Sequence, residues 1–142
     1  MKPAILIAAA ALMLPGMAAA QITHFPAGAG PNGAPPFSGS VMVGNTLYVS
    51  GTTDGGFKDG DTNTAAAKRV LDNIKRTVET AGLTMDNVVK TTVFLQHMSD
   101  FAAMNAVYAE FFTEGQYPAR SAVEVGALPR GALVEIETIC VK

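Results

Sequence analysis

Tyr117-Pro-Ala-Arg-Ser-Ala-Val-Glu-Val-Gly-Ala-Leu-Pro-Arg-Gly-Ala-Leu-Val-Glu-Ile-Glu-Thr-Ile-Cys-Val-Lys142 is the stretch whose reading decides the fold. A β-favouring run from Ser121 to Val125 is followed by a turn at Leu128-Pro129-Arg130-Gly131 and a second run from Leu133 to Val141, the pattern of an antiparallel pair. That reading puts Arg120 and Glu135 on paired strands. A guanidinium held by rigid backbone is a bidentate receptor for a small carboxylate, and a nearby glutamate can move protons on whatever that carboxylate carries. The chemistry implied is that of an enzyme acting on small acids. From the residues alone, Arg120 serves equally well as an ion-pair partner of Glu124 or Glu137, and Glu135 as a solvent-facing strand carboxylate.

Working outward, Val88 to Leu95 is β-branched and continuous enough for a central strand. Before it, Thr62 or Thr64 caps a helix running to about Ala81, where Gly82 stops it. Ala67, Leu71, Ile74, Val78 and Ala81 form its apolar stripe, and Lys68, Asp72, Lys75, Arg76 and Glu79 an ordinary solvated face. After it, Ser99-Asp100 caps a second helix whose face carries Phe101, Met104, Tyr108, Phe111 and Phe112, read as core. Val41 to Val43 and Thr46 to Ser50, joined by Gly44-Asn45, read as a hairpin, with Ser50-Gly51 closing the second strand. The order β-β-α-β-α-β-β predicts an α+β fold, a mixed β-sheet with two helices packed on one face.

The chain has 142 residues. Met1 to Ala20, with Lys2, an apolar run from Ala4 to Leu14 and Ala18-Ala19-Ala20, reads as a signal peptide cleaved before Gln21. The mature protein is then expected to be periplasmic or secreted, with no membrane association. Gln21 to Ser40, rich in Pro, Gly and Ala, is an extended lead-in, and residues 41–142 form one domain. Taking Lys2 away with the leader leaves nine basic against twelve acidic residues, a formal charge of −3. No basic stripe interleaves with aromatics, so no nucleic-acid partner is expected. Cys140 is the only cysteine, read as a small buried hydrophobe. His24 and His97 lack metal-ligand spacing, and no metal site is expected. No Gly-rich phosphate loop or dinucleotide fingerprint is present.

Pro118-Ala119-Arg120-Ser121, Val123-Glu124-Val125, Leu128-Pro129 and Val134-Glu135-Ile136-Glu137 together resemble the C-terminal signature of the reactive intermediate deaminase (Rid, or YjgF) family. The likeness continues upstream through Gly44-Asn45 to Ser50-Gly51, Leu71-Asp72-Asn73, Val89 to Phe94, and Asp100-Phe101 to Phe111-Phe112. It implies a chorismate-mutase-like fold in a homotrimer with clefts between subunits. Self-association also answers a feature of the last strand: Val134, Ile136 and Cys140 on one face and Leu133, Ile139 and Val141 on the other leave a monomer one apolar face too many.

The resemblance further implies hydrolysis of small enamine or imine acids to 2-oxo acids and ammonia, without a cofactor. In it, Arg120 matches the arginine that binds the substrate carboxylate and Glu135 the glutamate that handles water. Ser50 and Asn105 match substrate-contacting residues. Ser121 and Ala122 offer backbone groups to the carboxylate. Phe37 stands where well-studied members have a tyrosine, Ala122 replaces a frequent cysteine and Thr52 a common glutamine, which implies a different or relaxed substrate preference. The alternatives are a non-catalytic trimeric small-molecule-binding or holdase-like protein and, less in keeping with the acidic chain, an endoribonuclease.

Overall fold

The computed structural model describes residues 19–56 and 60–142; the expected leader, save its last two residues, lies outside them. In chain order the described residues form β1 (Ile22–Pro26), β2 (Ser38–Val43), β3 (Thr46–Thr53), α1 (Asn63–Thr80), β4 (Val88–Leu95), α2 (Phe101–Ala109), β5 (Ala119–Glu124) and β6 (Val134–Val141). The strands make one mixed sheet in the order β1-β2-β3-β6-β4-β5. The α+β architecture is as expected, with β4 inside the sheet, paired on both sides though next to the edge. One strand was not foreseen: the lead-in opens with β1, an edge strand antiparallel to β2.

The C-terminal pairing differs from expectation. β5 and β6 do not form a hairpin; β4 lies between them, parallel to β5 and antiparallel to β6. The reason is connectivity. A strand that follows β4 through a helix on one face returns in the same direction, so β5 must pair with β4 in parallel. The chain then crosses the end of β4, held on both sides: Val125 N–H donates to the Leu95 carbonyl at 3.0 Å, and Gln96 N–H to the Leu133 carbonyl at 3.0 Å. The Leu128 to Gly131 segment is a 3-10 turn within this crossing, with Arg130 at φ 56°. Burial selects the positions. Val134, Ile136, Thr138 and Cys140 of β6 are buried to within 2 % and demand neighbours on both sides, whereas β5 is mostly exposed and tolerates the edge.

The second strand of the first hairpin also runs further than expected, through Ser50-Gly51 to Thr53, because a bulge shifts its register against β6 between Val49 and Thr52.

Both helices lie on the face defined by Leu47, Val49, Val93, Leu95 and Ile136. Ala67, Leu71, Ile74 and Val78 of α1 are buried there, as the periodicity predicts. Thr62 Oγ1 accepts from Ala65 N–H at 3.2 Å. At the other end Gly82 takes φ +77°, while Gly82 N–H bonds the Glu79 carbonyl and Leu83 N–H that of Val78, with Leu83 buried. This two-bond closure with its apolar contact is a Schellman motif. Ahead of α1, Arg69 clasps Asp54 at 2.7 Å and Asp61 at 2.8 Å, tying both ends of the preceding loop to the helix.

The second helix is shorter than its apolar pattern implied. It ends at Ala109, and Phe111 and Phe112 pack from the turn beyond, Phe112 with its ring centroid 4.7 Å from that of Tyr108. Asp100 does not cap through its side chain; a 3-10 turn, Met98–Asp100, leads in instead. Phe101 is exposed.

Each large core side chain contributes about 1.5–3 kcal/mol relative to exposure. Ile136, fully buried on a central strand, is the clearest probe: Ile136→Ala should lower stability by about 2–5 kcal/mol in urea denaturation. A loss below about 1 kcal/mol would contradict its placement. Thr62→Ala should cost about 1 kcal/mol in the same measurement.

Candidate functional site

Strand parity divides the expected site residues between two places. Arg120 is opposite Thr91 on β4, and Thr91 is buried beneath the helices, so Arg120 points to the helix side of the sheet. There Nη2 donates to Asn105 Oδ1 at 2.6 Å and Nη1 lies 3.9 Å from Met104 Sδ. The guanidinium carbon sits 4.6 Å from the Tyr108 ring centroid and 5.7 Å from that of Phe101. Stacking on aromatic faces holds the plane of the fork by cation–π attraction. Tyr108 is itself pinned, its hydroxyl 2.8 Å from Thr91 Oγ1. Burial pushes the Tyr108 hydroxyl above the ordinary tyrosine range, against the Thr91 hydrogen bond and the Arg120 charge. A cavity of about 390 Å³ opens here, lined by Asn105, Tyr108, Ala109, Tyr117, Pro118 and Arg120. Asn105 occupies one of the guanidinium's five donors, leaving a face of the fork for a carboxylate. Neither Glu124 nor Glu137 pairs with Arg120; Glu124 Oε2 accepts from Met98 N–H at 2.6 Å.

Glu135 belongs to the second place. It is opposite Phe94 on β4 and Thr53 on β3, on the face away from the helices. Its carboxylate lies against Gly51 of the β3 bulge, where a Cβ would meet Oε1 and make the glutamate side chain swing aside. Partial burial raises the Glu135 carboxyl above the ordinary glutamate range, and Glu137 adds to the shift. Two adjoining cavities, of about 370 and 710 Å³, open around this bulge and share Phe37, Gly51, Thr53 and Arg130. Ser50 lines the first and Glu135 the second. The Ser50 hydroxyl donates to the Ser38 carbonyl at 2.7 Å, so toward a ligand it is left as an acceptor. Phe37 is 58 % exposed at the rim.

The structure therefore brings Arg120 together with Asn105, and Phe37 together with Ser50 and Glu135, but it does not join the two sets. Arg120 and Glu135 lie on opposite faces of the sheet, two strands apart, roughly 10 Å across the ladder. This corrects the paired-strand expectation. Ala122 faces the core opposite Val93 and does not line the Arg120 cavity. Tyr108 and Arg130 are two of the lining residues outside the expected set. The stripe pattern makes Tyr108 core, yet a tyrosine among phenylalanines and a methionine needs a hydroxyl partner. Arg130 was read as a turn residue. Cys140 is fully buried, its thiol pushed up to about 11 by burial. Among the described residues no group of three His, Cys, Asp or Glu is placed to hold a metal ion.

Residues 28–142 match the family model described as Endoribonuclease L-PSP. A 2-iminobutanoate/2-iminopropanoate deaminase of Escherichia coli strain K12 is 44 % identical over 112 residues, covering 75 % of this chain and 88 % of the relative. A RutC family protein of Pyrococcus horikoshii is 44 % identical over 111 residues, covering 75 % and 87 %. Among solved structures, RidA from an Antarctic Psychrobacter superposes with a TM-score of 0.70 at 41 % identity, covering 84 % of this chain and 94 % of that one. A putative endoribonuclease L-PSP from Entamoeba histolytica gives 0.74 at 35 %, covering 86 % and 100 %.

The raised Glu135 carboxyl has a checkable sign. The folded protein holds this proton to higher pH than the unfolded chain, so Glu135 makes stability fall as pH rises from the unfolded midpoint through the folded one. Side-chain carbon NMR should place the Glu135 midpoint above the usual glutamate range of about 4.3. Glu137→Gln should lower it only in part, since desolvation is the larger cause; a midpoint at or below the usual value would refute the burial argument.

Proposed function

The chain belongs to the endoribonuclease L-PSP family, also called YjgF or Rid, and on that premise we propose that it hydrolyses small enamine or imine acids to 2-oxo acids and ammonia, as an exported homotrimer. The observation that carries the mechanism is the separation of Arg120 from Glu135. One chain cannot bring them to a single substrate, whereas a second copy laid against the open sheet face can. That face carries Tyr48, 49 % exposed, with Ile139, Val141 and Phe94, an apolar surface suited to contact between copies. A rotation that closes after three copies repeats the same Arg120-to-Glu135 cleft three times.

In that cleft Arg120, held flat by Tyr108 and Asn105, binds the carboxylate and orients the substrate. The enamine tautomerises to the imine. Glu135 takes a proton from water as the oxygen adds to the C=N carbon and passes it to nitrogen, giving a carbinolamine; it then takes the hydroxyl proton as the carbonyl forms and delivers it to nitrogen as the C–N bond breaks and ammonia leaves. A carboxyl raised by desolvation is suited to this two-way transfer. Ser50 accepts a hydrogen bond from the substrate, and Phe37 shields it without donating. The substrates are intrinsically reactive, so orientation and exclusion of bulk water supply much of the rate. The deaminase named among the relatives supports the reaction class, and Lys2 followed by the run from Ala4 to Leu14 supports export.

Ammonia release from imines generated in place by an amino-acid oxidase tests the reaction. Arg120→Ala and Glu135→Gln should each lose at least ~100-fold in kcat/KM. Wild-type activity equal to that of Arg120→Ala would leave a non-catalytic binder, and metal-free RNA cleavage by the purified protein would favour an endoribonuclease. The shared cleft has its own test. Mixed assemblies of the two inactive variants should recover about a quarter of wild-type activity, since random association makes one cleft in four from two intact halves; no recovery, or a monomer by light scattering, rules the shared cleft out.

A further inference from the structure

Arg130 is the only non-glycine among the described residues with positive φ, at 56°. The left-handed region costs an L-residue with a long side chain roughly 1 kcal/mol, and such outliers persist where surrounding structure imposes them. Here the turn is closed by Gly131 N–H on the Leu128 carbonyl at 3.2 Å and Ala132 N–H on the Pro129 carbonyl at 3.1 Å. On the other side, a Cβ on Gly56 would come within 3.0 Å of both Arg130 Cβ and its carbonyl oxygen. Backbone on two sides thus holds Arg130 at a boundary common to both cavities beside the bulge, with Phe37 and Gly51.

Arg130 is exposed, and among the described residues its charge has no structural employment. Among the described residues no carboxylate lies within ion-pair distance of Arg130, although Glu135 lines the same larger cavity. Arg69, by contrast, is consumed by Asp54 and Asp61, while Arg120, oriented by Asn105 and two aromatic rings, keeps donors for a first carboxylate. An unspent guanidinium at a cavity wall, in a chain with an acidic excess, is suited to an anion brought by a ligand.

We infer that Arg130 is a second anion receptor, so that the cleft selects substrates bearing a second carboxylate, the imines of acidic amino acids. The substrate class rests on the deaminase reading; the receptor itself does not. In the shared cleft Arg120 would take the carboxylate next to the imine and Arg130 the distal one, with the C=N carbon between them near Glu135. The small, uncharged rim formed by Gly28, Gly51 and Thr53 leaves the distal group no other cation among the lining residues.

Calorimetric titration of the full-length protein with 2-oxoglutarate and 2-oxobutanoate separates the two ideas, because product-like ligands need no turnover. Wild type should bind 2-oxoglutarate about tenfold more tightly, one charge-assisted contact's worth. Arg130→Ala should bring that ratio to about one. Arg130→Gly should do the same while accommodating the positive φ, which guards against misfolding, and Arg130→Lys should fall between. A wild-type ratio of one, or a ratio unchanged in both the alanine and glycine variants, overturns the inference. The imines of glutamate and of 2-aminobutanoate, made in place by an oxidase, should show the same ratio in kcat/KM. Selective binding without turnover would sink the deaminase reading and keep the receptor; turnover of 2-iminobutanoate without selectivity would do the reverse.

Discussion

The double pairing of β4 is the constraint on which the rest of the molecule depends. Val88–Leu95 bonds β5 in parallel on one edge and β6 antiparallel on the other, and the chain between those strands is pinned to both sides of its end. The helix side of β4 fills the core through Val93 and Leu95. Remove either pairing and the site changes with it, because β5 carries Arg120 and β6 carries Glu135. A hairpin would have placed the two groups side by side on one face or on adjacent positions. The crossover instead puts a strand between them and turns them to opposite faces.

The surroundings of Arg120 and of Glu135 are built by different devices. Around Arg120 the work is done by packing: Tyr108, fixed by Thr91, and Asn105 hold a flexible cation in a single plane, lowering the entropy lost when it grips a carboxylate. Around Glu135 the work is done by backbone. The bulge at Ser50-Gly51 brings main chain close to the carboxylate, and its partial burial, with the Glu137 charge nearby, raises its proton affinity. A cation that keeps its geometry and an acid partly withdrawn from water are complementary requirements of the proposed imine hydrolysis, and they need different surroundings.

Much of the fold was legible because it is written in short-range pattern. The stripe of α1, its Thr62 cap and its Gly82 stop depend on residues within a turn or two, and the burial of alternate residues in β4 and β6 follows from their β-branched runs. What was misread depended on longer range. The Leu128 to Gly131 turn has the composition of a hairpin, but composition does not say whether a turn joins neighbours or carries the chain across an intervening strand. Tyr108 looked like core because its ring is core; its hydroxyl and its stacking under Arg120 involve residues far along the chain. Arg130 looked like turn filler because a positive φ is invisible in a side-chain code that usually assigns it to glycine.

By itself, then, the sequence determined the α+β class, an interior β4, the first helix and which side chains are candidates to bind a carboxylate and move a proton, since these follow from side-chain chemistry and from periodicities of two and 3.6 residues. Only the tertiary structure decided where those groups point. Sheet order and parity are set by which strands bury most apolar surface between two neighbours, a competition among all six that no local stretch contains. From that competition came the split of Arg120 from Glu135, the approach of Gly51 to Glu135, and the place of Arg130 at the cavity wall.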